Sequence, residues 1–400
     1  MAPLQVHKNP PDLVHEFGIP YNFTVMSPDG LKAGIEPQQL ASELKSARTI
    51  VLGDLHGSYQ KLIETLVAAD LIDMPKAQAQ HYLGLANSPG NFSDHSLLLS
   101  ILDKALQFVI PSIRWKGGDR QLILIGDVLS DRGPLDTVTL SVIEHISQQA
   151  PNAIVRMASN HDHNVLGYLL DEKSFLGTAF VSSMLRACDV ATENKQFGDL
   201  AQKYFRYLLQ SKLLHFDSET KTLFAHAPIT EAQLKGLEPL LEAFQTRSPE
   251  QVKPQGFQVA TVSGPKDVEH FVSQANLLYQ EYVVAHLLVY RAFVQNQDDA
   301  EQKRAILKQY ENCVEPVLSG EEGFLWVRGP LNQAESLPFS KAGVKTLVHG
   351  HDPQSAYSPF SLRKSGERAG RDYVVANLDQ NVRKGNDVPP NEESVIFRIP

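Results

Sequence analysis

Cysteine is almost missing from this 400-residue chain. Two residues, Cys188 and Cys313, cannot build a disulfide framework or a Cys-rich zinc module. A basic excess is missing too. Lys and Arg number 37 against 46 Asp and Glu, a net charge of −9, which excludes a globally basic nucleic-acid footprint. Met1 to Pro20 lacks a basic stretch followed by an apolar run, so no secretory signal is expected. No long apolar run goes uninterrupted. The most apolar stretch, Ala275 to Val294, carries Glu281, His286 and Arg291 and reads as a buried helix, not a membrane span. These scarcities point to a soluble protein of a reducing compartment such as the cytoplasm, with no nucleic acid as partner and no transmembrane segment.

What is present is ordinary globular material. Hydrophobic residues are 42% and charged residues 21% of the chain, enough to bury a large core. Short apolar runs recur at Thr49–Gly53, Gln121–Gly126, Ala153–Ala158, Thr222–Ala225, Lys345–Gly350 and Tyr373–Asn377, with a last one at Ser394–Ile399. Near-continuous apolar runs suit strands buried on both faces. Tyr59, Leu62, Ile63, Leu66 and Val67 then repeat at helical spacing, as do Val138, Val142 and Ile146 after Pro134. Alternating strand and helix predicts an α/β fold. Residues 1–48 read as an N-terminal extension. Residues 49–400 read as one domain with surface insertions at about 74–118 and 231–322, the latter helical and cap-like.

The chemistry clusters at the ends of those strands, where α/β sheets place ligand sites. Gly53-Asp54-Leu55-His56-Gly57 follows the first run and Gly126-Asp127 through Asp131-Arg132-Gly133 the second. Asn160-His161-Asp162, His226, and Gly350-His351 follow three more. A lone aspartate here would read as a helix cap and a lone histidine as a core residue. Together they form a set of N and O donors able to hold two divalent ions: Asp54 and His56 on one, Asp127 as bridge, and Asn160, His226 and His351 on the other.

In these motifs the chain resembles the phosphoprotein phosphatase (PPP) family of calcineurin-like metallophosphoesterases, whose signatures are GDxHG, GDxxDRG, GNH[ED], a later histidine, and GH. The resemblance runs from Thr49 to about Asp379. It implies a β-sandwich core flanked by helices and two divalent ions, Mn²⁺ first, with Fe, Zn or Mg as alternatives. It further implies phosphomonoester hydrolysis by a hydroxide bridging those ions. By motif position His161 is the general acid and Asp131 its partner. Arg132 grips the phosphate, and Arg328, in an LWxR-like segment from Leu325, is expected opposite. Two departures are visible. GNHE reads Ser159-Asn160-His161-Asp162, with Ala158 where eukaryotic members carry arginine, and the last motif reads Gly350-His351-Asp352-Pro353, close to a bacterial GHTP. With large helical insertions, the chain is similar to effector phosphatases of the Wip group, which are delivered into a host cell. A phosphoprotein is then the expected substrate, with serine/threonine and tyrosine both open. Two alternatives stand beside it: a dinucleoside polyphosphate or phosphodiester hydrolase on the same scaffold, and a non-catalytic phosphatase-like binding module. Cysteine-based tyrosine phosphatase chemistry fails on spacing, since Asn194 and Ser319 stand six residues after the cysteines.

Overall fold

A computed structural model describes residues 7–8, 22–27, 30–31, 44–57, 59–75, 77–78, 95–129, 136–170, 197–229, 265–295, 299–320, 323–327, 343–351, 361–364, 374–378 and 394–399. In chain order its strands are β1 (His7–Lys8), β2 (Asn22–Ser27), β3 (Gly30–Leu31), β4 (Thr49–Leu52), β5 (Ile72–Asp73), β6 (Arg114–Trp115) and β7 (Gln121–Leu124). They continue as β8 (Ile154–Arg156), β9 (Leu214–Asp217), β10 (Thr222–Ala225), β11 (Thr346–His349), β12 (Ser361–Lys364), β13 (Val374–Asn377) and β14 (Ser394–Ile399). The helices are α1 (Tyr59–Ala68), α2 (His95–Lys104), α3 (Asp136–Gln149), α4 (Asn160–Leu170), α5 (Phe197–Gln210), α6 (Pro265–Val294) and α7 (Ala300–Leu318).

Two main sheets result. One has seven strands in the order β1-β2-β14-β4-β7-β8 with β3 on β2, and the other runs β12-β13-β11-β10-β9. Every residue of β4, β8, β10 and β11 is buried. Side chains alternate across a strand, and that alternation divides the core. Val51, Ile123, Val155 and Ile399 of the first sheet cluster with Phe224 and Val348 of the second, the filling of a sandwich. Ile50, Leu52, Leu122, Leu124, Ile154, Leu223 and Leu347 face the other way and join the helices in the larger core. The α/β sandwich flanked by helices is therefore the architecture found.

Described residues of the N-terminal extension and of both insertions pack onto this core. Before residue 49, β2 pairs in parallel with β14, Phe23 opposite Ser394 through Met26 opposite Phe397, and so belongs to the seven-stranded sheet. Within 74–118, α2 runs into a π-turn at Ala105–Val109 and a 3₁₀ turn at Ile110–Ser112. Leu102, Ala105, Val109, Ile110 and Ile113 from this stretch are buried in the main core. Within 231–322, α6 packs on α4, α5, α7 and β9. Its Val268, Phe271, Ala275, Leu278, Tyr279 and Val283 bury one face at helical spacing. Among the described residues no helix is long and apolar enough to cross a membrane.

The core makes an acid-stability prediction. Burial pulls His215 of β9 and His286 of α6 down to about 4 from the ordinary 6.5. Both are held neutral in the fold, while the unfolded chain takes up their protons below about pH 6.5. Their contribution to stability should be level above that pH and fall as pH drops from 6.5 towards 4, by at most about 1.4 kcal/mol per pH unit for each histidine. Asp162, whose raised carboxylate acts in the opposite sense, partly offsets that fall. Denaturant midpoints across that range check it; a flat profile would contradict it.

Candidate metal and catalytic centre

β4, β7 and β8 run parallel in one sheet, as β10 and β11 do in the other, so their carboxyl ends share one edge of the sandwich. Asp54 and His56 follow β4, Asp127 follows β7, Asn160 and His161 open α4 after β8, His226 follows β10, and His351 follows β11. Asp54, His56, Asp127, Asn160, His226 and His351 are all at most 4% exposed. A polar set this deep is tolerated only where its members satisfy one another or hold a ligand.

Asp127 sits at the middle. Its Oδ2 lies 3.9 Å from His56 Nδ1 and 3.7 Å from His161 Nε2, and its Oδ1 lies 3.4 Å from His226 Nε2. Two groups offer ligand atoms within 4.8 Å of one another: His56 with Asp127 and His161, and Asp127 with His226 and His351. Asp127 alone belongs to both. Asn160 Oδ1 is 2.8 Å from His226 Nε2, and the Asn160 Nδ2 is buried without a hydrogen-bond partner. Asp54 meets the set from the β11 side, because a Cβ on Gly350 would stand 2.5 Å from its Oδ1. Glycine at 350 leaves the room that this carboxylate needs.

The backbone holds these side chains at some cost. His56, Asp127 and His351 have φ of 49°, 45° and 58°, in the left-handed region that side chains other than glycine rarely adopt. The surrounding hydrogen bonds fix that conformation. Leu55 and His56 both donate their N–H to the Asp127 carbonyl at 3.1 and 2.6 Å, and Gly57 donates to the Val128 carbonyl at 3.0 Å. Across the sheets, Gly350 donates to the His226 carbonyl at 2.8 Å, and His226 Nδ1 lies 3.2 Å from the Ile125 carbonyl. Gly126, at φ 124°, has no room for a Cβ, which would collide with the His226 ring.

Burial, then the neighbouring His351 and His161, hold His226 far below the usual imidazole range, so it is neutral. A neutral imidazole is the form that binds a metal. The donors are nitrogen and oxygen with no sulfur, and a shared carboxylate lies between two histidine groups. These residues fit two divalent ions of the Mn, Fe, Zn or Mg kind.

Helix α4 begins on a serine cap. Asp162 N–H donates to Ser159 Oγ at 3.1 Å, and the Asp162 carboxylate accepts from Leu129 N–H at 2.8 Å and Tyr207 OH at 3.3 Å. Burial and the adjacent Asp127 push Asp162 up to about 7, against those hydrogen bonds. The next residue, His163, turns away from the centre: its Nε2 lies 3.1 Å from Glu315 on α7, and its ring stacks on Tyr282 of α6 at 5.4 Å. Although burial opposes it, the contact with His163 and the Tyr282 hydroxyl hold Glu315 down at about 2. The helical pair 265–318 is thereby fastened to the helix that carries His161. His349 sits in β11 at 0% exposure, its Nδ1 2.8 Å from the Gly350 carbonyl.

Of the residues expected from sequence, Asp54, His56, Asp127, Asn160, His161, His226 and His351 come together at this edge. Asp131, Arg132 and Arg328 lie outside the described residues. Sequence reasoning passed over Asp162, although Ser159-x-x-Asp162 carried a capping signal. It also passed over Trp326, whose ring stands edge-on to His351 at 5.7 Å and which was legible only as a companion of Arg328.

A family model of the WipA-like phosphatase domain matches residues 121–364, more than half of the chain. No curated protein matches. Among solved structures, the chain is similar to the phosphatase domain of the Legionella effector WipB, with 17% identity over 62% of this chain and 86% of that one and a TM-score of 0.45. It is also similar to a cold-active protein-tyrosine phosphatase of a psychrophile Shewanella, with 15% identity over 76% of this chain and 65% of that one and a TM-score of 0.37.

Proposed function

This chain belongs to the WipA-like phosphatase-domain family, and from that premise we propose that it is a dinuclear metal-dependent protein phosphatase acting on phosphomonoesters of serine, threonine or tyrosine. The observation that carries the proposal is the shared position of Asp127, one buried carboxylate common to two histidine groups. Asp54, His56 and Asp127 would hold one ion, and Asp127, Asn160, His226 and His351 the other, with Mn²⁺ the first candidate. Such ions supply an activated water at neutral pH and neutralise charge on the phosphoryl oxygens.

The chain's own residues do the rest. His161 is the member that solvent reaches, its side chain 17% exposed against 3% for Asp127, which suits a group that must meet the leaving oxygen and give it a proton. Asp131 would orient His161. Arg132, with Arg328 opposite, would grip the phosphate through paired N–H donors. Asp162 keeps the first turn of α4 against Leu129, so the acid is held by packed helix rather than loop. The reducing cytoplasm of a host cell is the setting this reading implies.

A panel of phosphoserine, phosphothreonine and phosphotyrosine peptides, assayed under Mn²⁺, Mg²⁺, Zn²⁺ and Fe²⁺, tests it. Metal-dependent release of phosphate from at least one peptide class is expected, with activity lost on chelation. Cleavage of diadenosine tetraphosphate far faster than any peptide would instead make the chain a nucleotide hydrolase.

A further inference from the structure

Helix α4 opens with Asn160, His161, Asp162 and His163. Successive helical residues are turned about 100° from one another, so Asn160 and His161 share one side of the first turn, and Asp162 and His163 the other. The first side meets the metal centre. His161 Nε2 lies 3.7 Å from Asp127 Oδ2, and Asn160 Oδ1 2.8 Å from His226 Nε2. The second side is pinned at both of its residues. Asp162 accepts from Leu129 N–H and from Tyr207 OH of α5. His163 reaches α7, where its Nε2 lies 3.2 and 3.1 Å from the Glu315 carboxylate oxygens.

Glu315 is itself held. Tyr282 of α6 donates its hydroxyl to Glu315 Oε2 at 2.6 Å, and the same tyrosine ring stacks on His163, 17° from parallel. Tyr279 flanks the imidazole with centroids 6.3 Å apart. Glu315 is ionised at neutral pH, so the bond it accepts from His163 is charge-assisted, roughly twice as strong as one between neutral groups. The His163 side chain is only 4% exposed, where such a bond is little weakened by water. α6 and α7 supply none of the donors expected for the two ions, yet through Glu315 they grip the residue two places after His161.

Building on the phosphatase function with His161 as its acid, we propose that Glu315, braced by Tyr282, is a positioning residue for that acid. A helix end pinned only at Asp162 can roll about that point. The second pin, about 100° further round, blocks the roll and keeps His161 Nε2 aimed at the leaving oxygen. A displacement of about 1 Å at a reacting group can cost about a hundredfold in rate. The inserted helices thereby enter the chemistry, beyond any part they play in covering the site.

The test compares Glu315→Ala and Glu315→Gln with wild type, as full chains loaded with Mn²⁺, on a phosphoserine peptide and on p-nitrophenyl phosphate. The Glu315 side chain is 40% exposed, so alanine should leave the fold standing. Alanine is expected to lower kcat on the peptide about tenfold with KM within about twofold, and turnover of p-nitrophenyl phosphate by no more than about twofold, because p-nitrophenolate needs no acid. Glutamine keeps an oxygen that can accept from His163 and Tyr282, and should restore at least about half of the wild-type kcat. A second readout is independent of activity. Amide hydrogen exchange at Asp162 and His163, whose N–H groups donate to Ser159, should quicken with alanine and stay as in wild type with glutamine. Equal losses on both substrates, an unchanged peptide kcat, unchanged exchange, or a glutamine variant as slow as alanine would each overturn the positioning role. A wild-type chain that hydrolysed neither substrate would overturn the phosphatase reading and the acid with it, while exchange would still decide whether Glu315 holds α4.

Discussion

Asp127→Asn is expected to abolish turnover and the retention of divalent ions together. The substitution keeps size and shape, and asparagine tolerates the positive φ of 45° that the position demands. The carbonyl that accepts from Leu55 and His56 belongs to the backbone and is unchanged. Folding should therefore survive. What changes is charge at the one carboxylate shared by both histidine groups. An amide nitrogen would face either His226 Nε2, now 3.4 Å from Oδ1, or His56 and His161 on the Oδ2 side. In either orientation one ion loses its bridging ligand. A loss of at least a thousandfold in kcat/KM is expected, about 4 kcal/mol of transition-state stabilisation. Metal content measured on the same preparation should drop in parallel. A variant that kept a tenth of the activity with full metal content would remove Asp127 from the bridging role.

The site's strands were legible because they are buried on both faces. Runs such as Thr49–Leu52 and Thr346–His349 have no exposed face, and a polar residue just past such a run stands out. That contrast marked Asp54, Asp127, Asn160, His226 and His351 from sequence. β2 escaped notice for the opposite reason. Asn22–Ser27 mixes polar and apolar residues, and its partner β14 lies at the far end of the chain, where no local pattern announces it. β9 is half-buried and carries His215 and Asp217, which dilute the apolar signal. The stretch 74–118 reads as an insertion from its Ala/Gln/Ser-rich composition and its Pro-Gly-Asn turn at Pro89, which say nothing of its core contacts. The π-turn and 3₁₀ turn after α2 shift the spacing from Ala105 onward, yet return Val109, Ile110 and Ile113 to the core. The fastening of α4 to α7 rests on His163 and Glu315, 152 positions apart, and on a stacked tyrosine. No motif carries such a pairing; only packing of α6 and α7 on α4 creates it.

His161→Asn separates two roles that geometry alone leaves side by side. His161 Nε2 lies within ligand distance of the His56–Asp127 group, so it could hold an ion, and it is also the most exposed member, so it could meet a leaving group. Its backbone N–H donates to Asp127 Oδ1 at 3.4 Å, and that contact survives any side-chain change. Asparagine also keeps the start of α4, where Ser159 and Asp162 form the cap. As the acid, His161 gives up a proton that an alkoxide from phosphoserine needs and that p-nitrophenolate does not. The variant should keep its metal and lose about 10²–10⁴ in rate on a phosphoserine peptide. On p-nitrophenyl phosphate the loss should be far smaller, because that leaving group departs unprotonated at neutral pH. A falling metal content with equal losses on both substrates would make His161 a ligand instead, and would pass the search for the acid to a residue beyond α4.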